Sequence, residues 1–233
     1  MITIEYFGHA SFRIITENNM HFVFDPGIYN ENKLVPEDTK TDFICVTHIH
    51  QDHYGNCVEL AKKQKALLFG NSSVIQKAKK EGIYPWLIRE LGNNMTYKIE
   101  EFTLAGYSIR HGPVSIEKQP ENTSFMLTVE DTNIVHLGDA IGIGPYERFK
   151  IDVLFMPIDE TEALKPQEAL NAANVLKPRV IIPMHYKSDD DVEYFVKNLK
   201  YFSSTSTAIV LRPKQKVTCF WHVGHEFICQ AED

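Results

Sequence analysis

His48, His50, Asp52 and His53 place three imidazoles and one carboxylate within six residues, in the run Thr47-His48-Ile49-His50-Gln51-Asp52-His53. Imidazole nitrogen and carboxylate oxygen are donors that suit zinc, and also iron or manganese. The segment follows Phe43-Ile44-Cys45-Val46, a continuous apolar run of the kind expected for a strand buried on both faces. In an extended backbone, residues two apart point the same way. His48 and His50 can therefore approach one cation from the same side. Asp52 and His53, where the chain turns into a helix, can reach a second position nearby. The competing reading is a polar loop of surface histidines, which would require four metal-capable side chains to gather by chance just past a strand.

Further ligands are expected at strand ends, where open sheets place their sites. His111 follows residues 107–110 and precedes Gly112-Pro113. Asp139 follows residues 134–138, and His185 follows residues 180–184. Each alone reads as a loop residue held by hydrogen bonds. Together they complete two cation sites.

The elements that must position these residues are mainly strands. Residues 3–7, 11–16 and 21–25 are β-prone runs separated by Gly8-His9 and by Glu17-Asn18-Asn19, and Asp25-Pro26-Gly27 breaks the pattern. Residues 28–41 read as a long polar loop that could overhang a site. After Gly55 the pattern turns helical, residues 66–69 read as a buried strand, and residues 72–91 read as a helix interrupted at Gly82 and Pro85. Strands return at 107–110, 124–130, 133–137 and 153–156. A helix starts at Pro166 and runs to Lys177-Pro178, and strand 180–183 follows it. Asp189-Asp190-Asp191 is expected to cap a second helix, with Val192, Phe195, Val196 and Leu199 on one face. Residues 207–211, 216–221 and 226–229 suggest a closing meander. Two stacked sheets with helices outside is one packing consistent with this order, and a doubly wound sheet is another.

The chain has 233 residues, with 43% hydrophobic and 24% charged, ordinary values for a folded globular protein. No Pro/Gly/Ser-rich linker or internal repeat divides it, so a single domain over residues 1–233 is expected. Lys+Arg 24 against Asp+Glu 31 gives a net charge of −7, which argues against a basic nucleic-acid-binding surface. No apolar run reaches the roughly 18 residues of a membrane-spanning helix. No basic region followed by an apolar stretch opens the chain, so no signal peptide is read. Cys45, Cys57, Cys219 and Cys229 form no C-x-x-C pair and are expected to be free thiols of a reducing compartment, with the cytoplasm as default.

Taken together, Asp25-Pro26-Gly27, His48-x-His50-x-Asp52-His53, His111, Gly138-Asp139 and Pro183-Met184-His185-Tyr186 resemble the metallo-β-lactamase superfamily over nearly the whole chain. Gly8-His9-Ala10-Ser11 and the Pro-Met-His-Tyr run look most like its branch of small metal-dependent hydrolases similar to L-ascorbate-6-phosphate lactonase. The resemblance implies an α/β fold of four αββα layers with the site at one edge of the sheets. It implies that His48, His50 and His111 hold one metal, that Asp52, His53 and His185 hold a second, and that Asp139 bridges. Asp25 would be a structural carboxylate organising the metal loop.

The function expected is a dinuclear metal-dependent hydrolase. A hydroxide bridging two divalent cations would cleave an ester-type bond, lactone or phosphodiester, in a small anionic substrate. Asp52 would orient that hydroxide and help move its proton as the catalytic carboxylate. Zinc is the expected metal, with manganese or iron accepted by the same donors. A homo-oligomer is compatible with the sequence. Rival readings are a nuclease or phosphodiesterase acting on nucleic acid, a glutathione thioesterase, an oxygen-reducing di-iron protein, an exported β-lactamase and a non-catalytic metal-binding protein of the same fold. The acidic balance, the strand-rich tail, His50 in the motif, the N-terminus and the complete ligand set argue against them in turn.

Other residues weigh less. His9 is either near the site or a turn histidine, and Tyr186 and Lys187 either meet an anionic substrate or are a packed Tyr and a solvated Lys. His136 reads as a hydrogen-bonded core residue. His21, His222 and His225 read as structural or surface residues, and Cys45 and Cys57 as non-ligating thiols. Specificity is expected from residues 28–41, 72–91 and 112–123.

Overall fold

The computed structural model describes residues 1–113, 119–222, 224 and 226–231. In chain order it runs through β1 (Ile2–Gly8), β2 (Ser11–Thr16), β3 (His21–Phe24), β4 (Ile28–Tyr29), β5 (Asn32–Lys33), β6 (Phe43–Val46), α1 (Gln51–Tyr54), α2 (Cys57–Gln64), β7 (Leu67–Gly70), α3 (Ser72–Lys80) and β8 (Ile88–Glu90). Then come β9 (Met95–Lys98), β10 (Phe102–Ile109), β11 (Asn122–Val129), β12 (Thr132–His136), β13 (Val153–Pro157), α4 (Pro166–Leu176), β14 (Val180–Met184), α5 (Asp189–Phe202) and β15 (Thr207–Ala208). The chain closes with β16 (Lys216–His222) and β17 (Glu226–Ala231). It divides into two compact units, the first made of Met1–Asn93 with Leu211–Asp233 and the second of Asn94–Val210. His225 and residues 114–118 of the expected 112–123 loop lie outside the described residues.

The first unit holds a sheet ordered β17-β16-β1-β2-β3-β6-β7-β8. Alternation in β1 turns Ile2, Ile4 and Tyr6 inward. β3, β6, β7 and β8 run parallel, with α2 in the crossover from β6 to β7 and α3 in that from β7 to β8. Val58, Leu60 and Ala61 of α2 and Val74, Ile75 and Ala78 of α3 pack with Ile44, Val46 and Leu68 of the strands. Asn71 caps α3 by accepting from Val74 N at 3.0 Å, and its amide donates to Thr47 O at 3.1 Å. One side chain thus starts a helix and fixes the backbone just before His48.

Residues 72–91 are not one interrupted helix. α3 stops at Lys80, Gly82 takes a left-handed φ of +75°, a short turn covers Pro85–Leu87, and β8 joins the sheet edge. Glycine and proline end the helix there, and pairing with β7 takes up Ile88. Residues 28–41 contain the small β4–β5 hairpin, and Asn56 donates to Val35 O at 3.1 Å to hold the rest of the segment.

The second unit holds a sheet ordered β15-β14-β13-β12-β11-β10-β9, antiparallel from β9 to β12 and parallel from β12 to β15. α4 carries the crossover from β13 to β14 and α5 that from β14 to β15. Ala169, Leu170, Ala173 and Leu176 of α4, with Phe195 and Leu199 of α5, cover Leu154, Met156 and Ile181. Pro166 is the first helical residue of α4, as its sequence position suggests. Ser188, not the Asp triplet, caps α5, accepting from Asp190 N at 3.1 Å. The acids occupy the first turn, where they complement the helix dipole. His136 is fully buried and accepts from Gly138 N at 3.2 Å, as a core histidine should. Among the described residues no helix is long and apolar enough to cross a membrane.

The expectation of four free thiols fails for two of them. Cys219 and Cys229 sit directly opposite in the β16–β17 register, with Cα atoms 4.1 Å apart, and form a disulfide. Their sequence separation of 10 matches no redox or metal spacing, and only the hairpin register brings them together. Cys45 and Cys57 are free and buried. The cysteine argument for a reducing compartment therefore no longer stands. Denatured, unreduced protein is expected to give two titratable thiols per chain rather than four. Reduction should lower stability by about 2–3 kcal/mol, the loop-closure value for a ring of this size. A count of four thiols, or an unchanged melting temperature after reduction, would contradict the crosslink.

Candidate metal-binding residues in each unit

In the first unit the chain leaves β3 into Asp25, which is fully buried and takes a left-handed φ of +44°. Ser11 Oγ donates to its carbonyl. Its carboxylate accepts from Thr47 N and Thr47 Oγ1, both at 2.8 Å, and Oδ2 lies 2.7 Å from His53 Nδ1. The ends of β3 and β6 are thereby tied to one carboxylate. With Nδ1–H donating to Asp25, the His53 ring presents Nε2 as its lone-pair nitrogen. Thr47 Oγ1 lies 3.0 Å from His48 Nδ1, which sets His48 in the same tautomer. His48 Nε2 lies 3.0 Å from His50 Nδ1, and His53 Nε2 lies 3.8 Å from Asp52 Oδ2. His48 and His53 are fully buried, while His50 and Asp52 are half-buried.

The glycine in Asp25-Pro26-Gly27 has a steric reason. A Cβ on Gly27 would lie 1.7 Å from Asp52 O, so only glycine lets the two loops pass. His9 sits in the β1–β2 turn with φ of +54°. Its Nε2 is 2.7 Å from Asp52 Oδ2, and its ring stacks on Tyr29 with centroids 4.2 Å apart. His9 therefore lies beside the candidate residues of the 48–53 segment rather than being a turn histidine alone.

In the second unit the end of β10 lies against the segment after β12. Gly112 N donates to Asp139 O at 2.9 Å and Ile141 N to Arg110 O at 3.1 Å. His111 Nδ1 is 2.9 Å from Gly112 O, so Nε2 is again the lone-pair nitrogen. Asp139 Oδ2 lies 3.6 Å from His111 Nε2 and 3.2 Å from His185 Nε2. These three side chains are at most 2% exposed. A buried carboxylate flanked by two imidazole nitrogens loses its hydration, and a dication offsets that loss well. The donor types, burial and ring orientations in both units fit a divalent metal.

Asp159 is a site-adjacent residue that sequence reasoning missed, although it too follows a buried strand, β13. Burial pushes its pKa up, but the nearby His185 imidazole and hydrogen bonds from Thr161 and the Glu162 backbone outweigh this and hold it well below the ordinary carboxylate range. Lys187 is half-exposed, and its ammonium is paired with neighbouring acids rather than simply solvated. Its Nζ lies 2.6 Å from Glu162 Oε2, 3.2 Å from Thr161 Oγ1 and 3.4 Å from Asp159 Oδ2.

The sheets and their His/Asp-bearing ends define the α/β metallo-β-lactamase class of fold. The structure of Igni18, a metallo hydrolase from Ignicoccus hospitalis, matches with a TM-score of 0.77 at 20% identity, covering 93% of this chain and 97% of that one. The metallo-β-lactamase fold protein YhfI from Bacillus subtilis matches with a TM-score of 0.71 at 14% identity, covering 92% and 98%. More particularly, the chain belongs to the beta-lactamase superfamily, whose domain spans residues 3–185, and within it to the UPF0173 metal-dependent hydrolases. The member from Caldivirga maquilingensis is 33% identical over 193 residues, 79% of this chain and 82% of its own length. The member from Methanosphaera stadtmanae is 29% identical over 215 residues, 84% and 91% respectively.

Proposed function

We propose that residues 1–233 work as one catalytic module, a dinuclear metal-dependent hydrolase that opens a lactone or phosphodiester in a small anionic substrate. His48, His50 and His111 would hold one cation, Asp52, His53 and His185 the other, with Asp139 shared. The observation that carries the reading is the buried Asp139 carboxylate, with the Nε2 atoms of His111 and His185 at 3.6 and 3.2 Å. Membership of the metal-dependent hydrolase family supports it. When bound, a cation pair supplies a Lewis acid and a water acidified from about 15.7 toward 7. The donor set, imidazole and carboxylate without thiolate, suits zinc and also accepts manganese or iron.

The chain's own residues do the rest. Asp25 keeps His53 in one tautomer, and Thr47 does so for His48. Asp52 is the one half-buried carboxylate of the proposed set, which suits it to accept and pass on a proton. His9 holds Asp52 Oδ2 at 2.7 Å and limits its rotation. The net charge of −7 favours a small substrate over a polynucleotide.

Turnover should be assayed on lactones, phosphodiesters and phosphomonoesters before and after chelation. Activity on one ester class, lost with the metal and restored by zinc or manganese, is expected. Activity untouched by complete metal removal would end this reading. Two bound ions with no turnover on the panel would favour a metal-binding protein without catalysis.

A further inference from the structure

We propose that Asp159 is a positioning residue for His185, the second unit's counterpart of Asp25 in the first; the proposal rests on the metal-hydrolase reading above. Asp159 is 2% exposed and stands just past the end of β13. Main-chain bonds set it beside the ligand: Ile158 N donates to Met184 O at 3.0 Å, and Asp159 N donates to Leu164 O at 2.9 Å. Its two carboxylate oxygens have separate tasks. Oδ1 accepts from Thr161 N at 2.6 Å, Thr161 Oγ1 at 2.7 Å and Glu162 N at 2.9 Å, which closes a turn. Oδ2 faces His185 Nδ1 at 3.5 Å and Lys187 Nζ at 3.4 Å.

His185 needs such support. Its φ of +56° is left-handed, which a residue with a side chain adopts only when its surroundings hold it there. Oriented through Nδ1, the ring turns Nε2 toward Asp139. The 3.5 Å separation is long for a hydrogen bond, and such bonds tighten when the ring nitrogen opposite takes a ligand. The same turn also backs His111, the other candidate imidazole ligand of this unit. A Cβ on Gly112 would lie 1.7 Å from Glu162 O, so the residue after His111 rests against the turn that Asp159 closes.

By donor type, Asp159, Glu162 and His185 resemble a metal site of their own. The Lys187 ammonium already lies 2.6 Å from Glu162 and 3.4 Å from Asp159, so that position is filled by a protein cation. The cluster therefore acts as a support for His185 rather than a further ion site.

The informative variant is Asp159→Asn in the full chain. A single amide oxygen can serve the turn or the imidazole, not both, and the turn offers three donors. The variant should keep the fold and lose the support of His185. Metal titration against a chromophoric chelator, with zinc and with cobalt, reads the outcome without any substrate. One of two ions is expected to bind about 10–100-fold more weakly, the other unchanged, with a shifted cobalt absorption spectrum. Wild-type affinity for both ions and an unchanged spectrum would overturn the positioning role. If the variant does not fold, ring-nitrogen NMR of the metal-free wild-type protein decides. His185 protonated on Nδ1 supports the role, and protonation on Nε2 overturns it. Failure of the underlying reading looks different: the wild-type protein would not take up two ions, or His185→Ala would take up as many as wild type.

Discussion

Replacing His50 with alanine should remove bound metal and turnover together. Its ring is half-buried, and its Nδ1 lies 3.0 Å from His48 Nε2, so the two imidazoles converge on the same small volume. Truncation deletes a donor without opening a large apolar void, and the folded state should change by no more than about 1 kcal/mol. A metal centre tolerates a missing ligand far less well. Loss of at least about 100-fold in affinity for the ion is expected, with turnover falling as far or further. Metal analysis of the purified variant beside thermal unfolding separates the effects. Two retained ions and full turnover would mean that His50 is not a ligand.

Asp25→Ala should be the most damaging substitution for stability. The Asp25 carboxylate accepts from Thr47 N and Thr47 Oγ1 and orients His53 Nδ1, and these groups are all buried. Alanine leaves each without its acceptor in a place water reaches poorly. Removing one partner of such a network costs about 3–5 kcal/mol. For a chain of this size that corresponds to a fall in melting temperature of roughly 10 °C. The effect should appear in metal-free protein, because the tie between the ends of β3 and β6 does not depend on a cation. An unchanged melting temperature would show that Asp25 does not organise the loop. Asp25→Asn should lie between, since one amide oxygen can keep some of the acceptances.

Most of the candidate metal-binding loop is legible because its signal is local. Alternation places His48 and His50 on one side, and the apolar run 43–46 announces the strand β6 before them. Asp139 and His185 are legible as polar residues just past buried runs, three residues beyond β12 and directly after β14. What escaped depends on contacts distant in sequence. The Cys219–Cys229 crosslink follows from hairpin register, which no spacing rule encodes. Asp159 carries no motif, and its role comes from the neighbour that β13–β14 pairing puts beside it. The three aspartates after Ser188 draw the capping expectation, yet the extended Ser188 backbone, φ −124°, suits the capping position. In residues 72–91 the helical pattern was real as far as Lys80, after which sheet pairing overrides it.

The most direct test is diffraction from crystals grown with zinc, with anomalous differences recorded across its absorption edge. Two strong peaks per chain are expected. One should be held by the imidazoles of His48, His50 and His111, the other by Asp52, His53 and His185, with the Asp139 carboxylate touching both. Crystals fully loaded with zinc elsewhere, and no anomalous density at these side chains, would contradict this arrangement.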